Sequence, residues 1–222
     1  MARRASNNSV AHKRAGVLLV GHAPLAQERL EQIIASQKDL RLSGAAQDRP
    51  RALRMLVETN PDLMITELML GDAPAWGLIE DALALRHQLK MLVISASEMT
   101  SYAERTMRAG AHGFIVRPTS ATILPAIRRV LDGKVYLSNG LLQQLTSKFL
   151  GHAGGGQSTL DRLSDQELQV FTLLGSGAST RGISNKLHVA PETVRTYRAR
   201  IKEKLHLEGA DSLLRAAIQW RK

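Results

Sequence analysis

Cysteine is absent from all 222 residues. Disulfides, thiolate zinc sites and cysteine nucleophiles are thereby excluded, an absence that suits a reducing cytosol. Aromatic residues are scarce, at 4%. The core therefore has to be filled by Leu, Ile, Val and Ala, drawn from a hydrophobic fraction of 44%. No apolar run approaches the roughly 18 residues of a membrane-spanning helix. The opening MARRASNNSVAHKRAG is basic and lacks an apolar segment. It is expected to be a disordered tail and no signal peptide. No nucleophile–base pair, metal cluster or phosphate-cradling loop stands out. The chain is expected to be no enzyme and to hold no cofactor or metal.

What is plentiful is positive charge, at its ends. Residues 1–15 carry four basic and no acidic side chains, and residues 151–222 carry eleven basic and seven acidic. Residues 16–150 are nearly balanced, with 15 basic against 13 acidic. Nucleic acid is the natural partner of such ends, although solubility alone also accounts for them.

From residue 16 to residue 134, short apolar runs alternate with amphipathic stretches. The runs are VLLV (17–20), LRLSGAA (40–46), DLMIT (62–66), KMLVIS (90–95) and HGFIV (112–116). PLAQERLEQIIAS shows the intervening pattern, with Leu25, Leu30, Ile33 and Ile34 at helical spacing. Five strands alternating with helices predict an α/β unit, a five-stranded parallel doubly wound sheet. Such sheets carry their sites at the carboxyl ends of the strands. Gly21, His22, Glu67, Ser95 and Arg117 fall there.

Residues 135–159 read as a linker, with a helix beginning near Ser138 followed by the glycine-rich GHAGGGQST. From 160 to 222 the pattern is wholly helical and predicts a small four-helix domain. Ser164 and Glu167 form a capping-box signature. A short helix from Thr180 to Leu187 is followed by the turn His188–Val189–Ala190, and Pro191 sits at a favoured first helical position. In PETVRTYRARIKEKL, Val194, Tyr197, Ile201 and Leu205 share one face, and Arg195, Arg198, Arg200, Lys202 and Lys204 spread over the rest. A last helix is expected from about Asp211 to Trp220. A short helix, a tight turn and a basic helix make a helix-turn-helix, whose second helix enters the DNA major groove. A solvated basic face on a protein-binding domain is the plainer alternative.

Residues 160–217 resemble the LuxR/NarL-type DNA-binding domain, through Leu163, Ser164, Glu167, Gly177, Ile183, Val189, Pro191, Val194, Tyr197 and Ile201, among others. The resemblance implies groove-facing roles for Glu192, Thr193, Arg195, Thr196 and Arg198, and backbone contacts from Lys202 and Lys204. Tyr197 is expected in the core. Two departures stand out. Ala190 replaces the family's usual capping residue, at a cost of about 1 kcal/mol. Gly182 stands where the family tends to have Glu, at about 1 kcal/mol against Ala.

The stretches PDLMITELML and GAHGFIVRP resemble the receiver domain of two-component response regulators. Together the two halves resemble a NarL/FixJ-type regulator with an atypical receiver. The family's chemistry uses an acceptor aspartate, two metal-holding acids, a Ser or Thr, and a Lys. Here Glu67 occupies the acceptor position, and Gly21 and His22 stand where the acidic pair belongs. Ser95 fits, Arg117 replaces the lysine, and Phe114 takes the aromatic switch position. Magnesium wants hard oxygen ligands, and phosphoryl transfer needs positioning and charge neutralisation. The domain is therefore expected not to be phosphorylated by the usual reaction. An ion pair between Glu67 and Arg117 is expected. Glu67 either imitates the phosphorylated state or is a residue of a decayed site. Arg117–Pro118 could be cis or trans.

The resemblance implies a cytoplasmic, DNA-binding transcriptional regulator acting as a homodimer on a roughly palindromic promoter site. Pairing is expected through residues 25–36, 120–131 and 211–220. RNA polymerase or another regulator is a further expected partner, and no membrane. The alternatives are a phosphorylation-controlled regulator with an unusual acceptor, such as Asp72 or Ser95, and an adaptor that sequesters a protein.

Overall fold

The computed structural model describes residues 14–71, 73–96, 100–149 and 159–221. The basic tail before residue 14, Asp72 and most of the glycine-rich segment lie outside them. The first half alternates strand and helix. It runs β1 (Ala15–Val20), α1 (Pro24–Ala35), β2 (Leu40–Ala46), α2 (Arg49–Thr59), β3 (Leu63–Glu67), then a short antiparallel pair β4 (Met69–Leu70) and β5 (Ala73–Pro74). It continues through α3 (Trp76–Leu85), β6 (Lys90–Ser95), α4 (Thr100–Arg108), β7 (Gly113–Val116) and α5 (Ser120–Leu131).

All strands of the main sheet run parallel, in the order β2-β1-β3-β6-β7-β8. The sixth strand, β8 (Tyr136–Leu137), was not expected from the sequence. Two residues carry no readable alternation. The strand pairs with β7 at Gly113, where a Cβ would collide with the Leu92 and Val130 side chains and press on the Tyr136 carbonyl at 3.3 Å.

Successive side chains of a strand point to opposite faces. Val17 and Leu19 of β1 pack with Ile34, Ile65, Ile123 and Ile127, on the face covered by α1 and α5. Leu18 and Val20 pack with Leu56, Met64, Leu78 and Ile79, under α2 and α3. Both faces are buried, which is why the strands read as continuous apolar runs. Strand order turns about β1 and β3, so their carboxyl ends flank a crevice.

After α6 (Asn139–Phe149) and a 3₁₀ turn (Thr159–Arg162) come α7 (Asp165–Gly175), α8 (Thr180–Leu187), α9 (Pro191–Lys204) and α10 (Gly209–Arg221). Leu168, Phe171, Leu174, Ile183, Val194, Ile201 and Leu213 form their shared core. The two halves touch through α4. The Tyr102 hydroxyl lies 2.7 Å from the Thr172 hydroxyl of α7, and burial pushes the Tyr102 phenol's pKa up. The Arg105 guanidinium, only 10% exposed, lies 2.9 Å from the Asp165 carboxylate and donates to the Leu163 carbonyl. Its contact with Asp165 is an ion pair without hydrogen-bond alignment. The same guanidinium stacks 5.8 Å from the Trp76 ring centre.

Candidate functional site

At the crevice, β1 ends in Gly21, whose φ of +77° suits glycine. A Cβ at Gly21 would collide with the Leu70 methyl group. The space in which an acidic side chain would start is thus taken by the tip of Leu70. His22 is 1% exposed. Its Nδ1 lies 3.0 Å from Glu67 Oε1 and its Nε2 lies 3.2 Å from the Ile65 carbonyl oxygen. Both ring nitrogens face oxygen atoms of β3, so the ring is tied to that strand at two points.

The expected Glu67–Arg117 pair is not formed. Glu67 turns to His22, and the Arg117 Nε donates to the Ala96 carbonyl at 3.0 Å. The reason lies in the backbone. Arg117 sits at φ +42°, in the left-handed region, where a non-glycine residue is strained by about 1–3 kcal/mol. That turn carries its side chain toward the end of β6, away from β3. Ser95, at the end of β6, is 2% exposed, and Phe114 is fully buried in β7. The Arg117–Pro118 bond is trans, since no cis peptide occurs among the described residues.

These residues do not fit magnesium. Among the described residues the crevice offers one carboxylate, already engaged, and one imidazole, where the ion wants several hard oxygens. No group of three metal-capable side chains occurs among the described residues.

The second site is built on α9. The capping box at the start of α7 forms as expected. The Ser164 amide donates to Glu167 Oε2 at 2.7 Å and the Glu167 amide donates to Ser164 Oγ at 3.3 Å. Ser179 caps α8 through the Gly182 amide at 3.1 Å. His188 ends that helix at φ +53°, and Ser184 Oγ donates to the Val189 carbonyl at 2.7 Å, fixing the turn. Ala190 precedes α9 with no side-chain cap, and Pro191 takes the first helical position. Val194 and Ile201 are fully buried, and Tyr197 and Leu205 pack against the core. Tyr197, expected in the core, is half-buried at its edge, with its hydroxyl donating to Gln166 at 3.2 Å.

The opposite side of α9 is open. Glu192, Arg195, Thr196 and Arg200 are exposed, and Thr193, Arg198 and Lys202 are half-exposed. Arg195 pairs with Glu192 at 2.6 Å, and Arg198 donates to Thr180 Oγ1 at 3.0 Å. The exposed Arg195–Glu192 pair holds about 0–1 kcal/mol and is readily exchanged for another partner. Lys204 differs from its expected role. Its ammonium lies 2.6 Å from Glu167 Oε2, a carboxylate 3% exposed, and so ties α9 to α7. The sequence reading missed Thr180 and Arg181. They line a concavity of about 350 Å³ with Pro191, Glu192 and Arg195. Their place at the start of α8, facing the start of α9, was the available signal.

Residues 17–128 match the response regulator receiver domain, and residues 161–217 match the luxR family of bacterial regulatory proteins. The chain is 30% identical to the transcriptional activator protein ExaE of Pseudomonas putida, over 92% of this chain and 96% of that one. It is 28% identical to the response regulator GacA of Pseudomonas aeruginosa, over 91% and 95%. Structures of RcsB from Salmonella share the fold. One has a TM-score of 0.75 at 16% identity, covering 93% of this chain and 98% of that one. Another, bound to promoter rprA, has a TM-score of 0.72 at 17% identity, covering 91% and 98%. The chain belongs to the NarL/FixJ-type response regulators of two-component systems, transcriptional regulators that join a receiver domain to a luxR-family helix-turn-helix DNA-binding domain.

Proposed function

We propose that this regulator reads a roughly palindromic promoter site as a homodimer, through α9, without control by aspartyl phosphate. The carrying observation is the open face of α9. Its apolar side is buried in the domain, and Arg195, Thr196, Arg198 and Lys202 remain outward with no structural duty that a phosphate or base could not replace. Arginine bonds guanine bidentately and lysine attracts phosphate. Thr180 and Arg181 extend this surface. RcsB, a relative in fold, is known with two dimers bound to two parallel DNAs, which supports pairing on DNA; α1, α5 and α10 are the faces proposed for it. Action on promoters would be cytoplasmic, with RNA polymerase or a second regulator as a further partner.

Independence from phosphate rests on the crevice. Glu67 is held by His22, and Leu70 fills the space beside Gly21. This pairing favours Glu67 as a hydrogen-bonded structural carboxylate over a phosphate mimic, since the mimic has to reach Arg117. The test has two arms. Promoter fragments selected from genomic DNA are titrated by fluorescence anisotropy across a salt series. Arg195→Ala or Arg198→Ala is expected to weaken specific binding by about 1–3 kcal/mol. Flat salt dependence, or no selected site, would favour the sequestering adaptor. Acetyl phosphate with Mg²⁺ is expected to add no mass, and the gain of one phosphoryl group would overturn this half of the reading.

A further inference from the structure

The crevice does not stop at the degenerate pocket. It continues outward between α1 and α5 as a cavity of about 360 Å³, within the size range of small-molecule sites. Its walls are apolar: Leu25, Leu30, Ile33, Ile94 and Ile123. Leu25 is 79% exposed, so its methyl groups stand in water with the cavity beside them.

The polar groups are few and of one net sign. Arg29 and Arg117 stand at the lining, and Glu67, the one carboxylate among the described lining residues, is already engaged by His22. The Arg117 Nε is spent on the Ala96 carbonyl, and among the described residues its two terminal nitrogens have no partner. Arg29 gives a single bond to Ser120 Oγ, at 3.2 Å. Arg117 also holds its left-handed backbone, which a glycine would hold without strain.

We infer that this cavity binds a small amphipathic monoanion, with a carboxylate or equivalent acidic head on the free edge of Arg117 and an apolar body between α1 and α5. The chemistry selects this class. Inorganic phosphate would satisfy the guanidinium and leave the apolar walls wet. A neutral hydrocarbon would fill the walls and leave two cations unpaired. A charge-assisted, two-pronged bond suits the planar guanidinium. The ligand would sit between the two helices of the proposed pairing face, where occupancy changes how they meet a second chain. The inference rests on the cavity and not on DNA reading, so its failure leaves that reading standing.

The experiment uses the full chain. Anilinonaphthalene sulfonate, an apolar body with one anionic head, is titrated in by fluorescence and then displaced with decanoate or with decanol. Saturation at one site per chain is expected. Decanoate should displace the probe about ten-fold more tightly than decanol, the weight of one charge-assisted bond. Arg117→Gln and Arg117→Gly should erase that difference. The glycine variant relieves the backbone, so its loss of decanoate affinity is not a loss of fold. Ala26→Phe, at an exposed position on the α1 wall, should weaken both competitors. Equal displacement by decanoate and decanol, or variants that bind as the parent does, would overturn the proposal.

Discussion

Lys204→Met asks where α9 spends its charge. The Lys204 ammonium lies 2.6 Å from Glu167 Oε2, which also accepts the Ser164 amide at 2.7 Å. Burial pushes the Glu167 carboxyl up, but the bonds from Lys204 and Ser164 outweigh it and hold its pKa below the usual value. Removing the ammonium leaves a buried carboxylate with one donor. A wholly orphaned buried charge costs about 3–5 kcal/mol. Here Ser164 remains, and Lys204 is itself 39% exposed, so solvent screens the pair. The expected loss is about 2 kcal/mol. For a helical domain of this size that lowers the melting temperature by on the order of 10 °C. The salt dependence of DNA binding should stay as it is, because this charge already neutralises Glu167. Lys202→Met is the counterpart. It should leave the melting temperature alone and reduce the salt slope by about 0.9, one phosphate contact. Circular dichroism melts and anisotropy titrations between low and moderate salt measure both. A Lys204→Met variant that melts like the parent and loses one phosphate's worth of slope would refute the assignment.

Arg105→Ala should loosen the junction between α4 and α7, since it removes the Asp165 pair, the Leu163 bond and the contact with Trp76 together. Amide exchange is expected to rise in α4 and around Leu163 and to stay unchanged in the central strands; uniform protection would contradict the reading. Gly175→Ala places a methyl against the Ala217 carbonyl of α10. Forcing two helices apart costs about 1–3 kcal/mol, read as a lower urea midpoint at unchanged slope. Asp39 and Glu167 both have lowered pKa values, the first through its bond to Arg128 and the second through the balance already described. A folded-state pKa below the unfolded one gives stability that is present above the ordinary carboxylate range and lost as pH falls through the folded value. Urea midpoints should therefore hold steady down to about pH 5 and fall below it, and less steeply in Glu167→Gln. Identical acid limbs in parent and variant would contradict this.

Much of the fold could be read from neighbours in the chain. LRLSGAA and KMLVIS coincide with β2 and β6, and Thr180–Leu187 with α8, because each signal is a local one: a continuous apolar run, a capping serine, a turn. The missing acids at Gly21 and His22 were legible as plain identities. The two-residue strands β4, β5 and β8 were not, since they exist only where another strand waits for them.

The sequence by itself determined the longer elements, the two-part organisation and the basic helix, since periodicity and capping act within about four residues. Tertiary structure alone decided who pairs with whom. His22 meets Glu67 across 45 positions, Lys204 meets Glu167 across 37, and Tyr102 meets Thr172 across 70. A carboxylate takes whichever donor the crossing of strands and helices brings within about 3 Å, and no local pattern encodes that crossing.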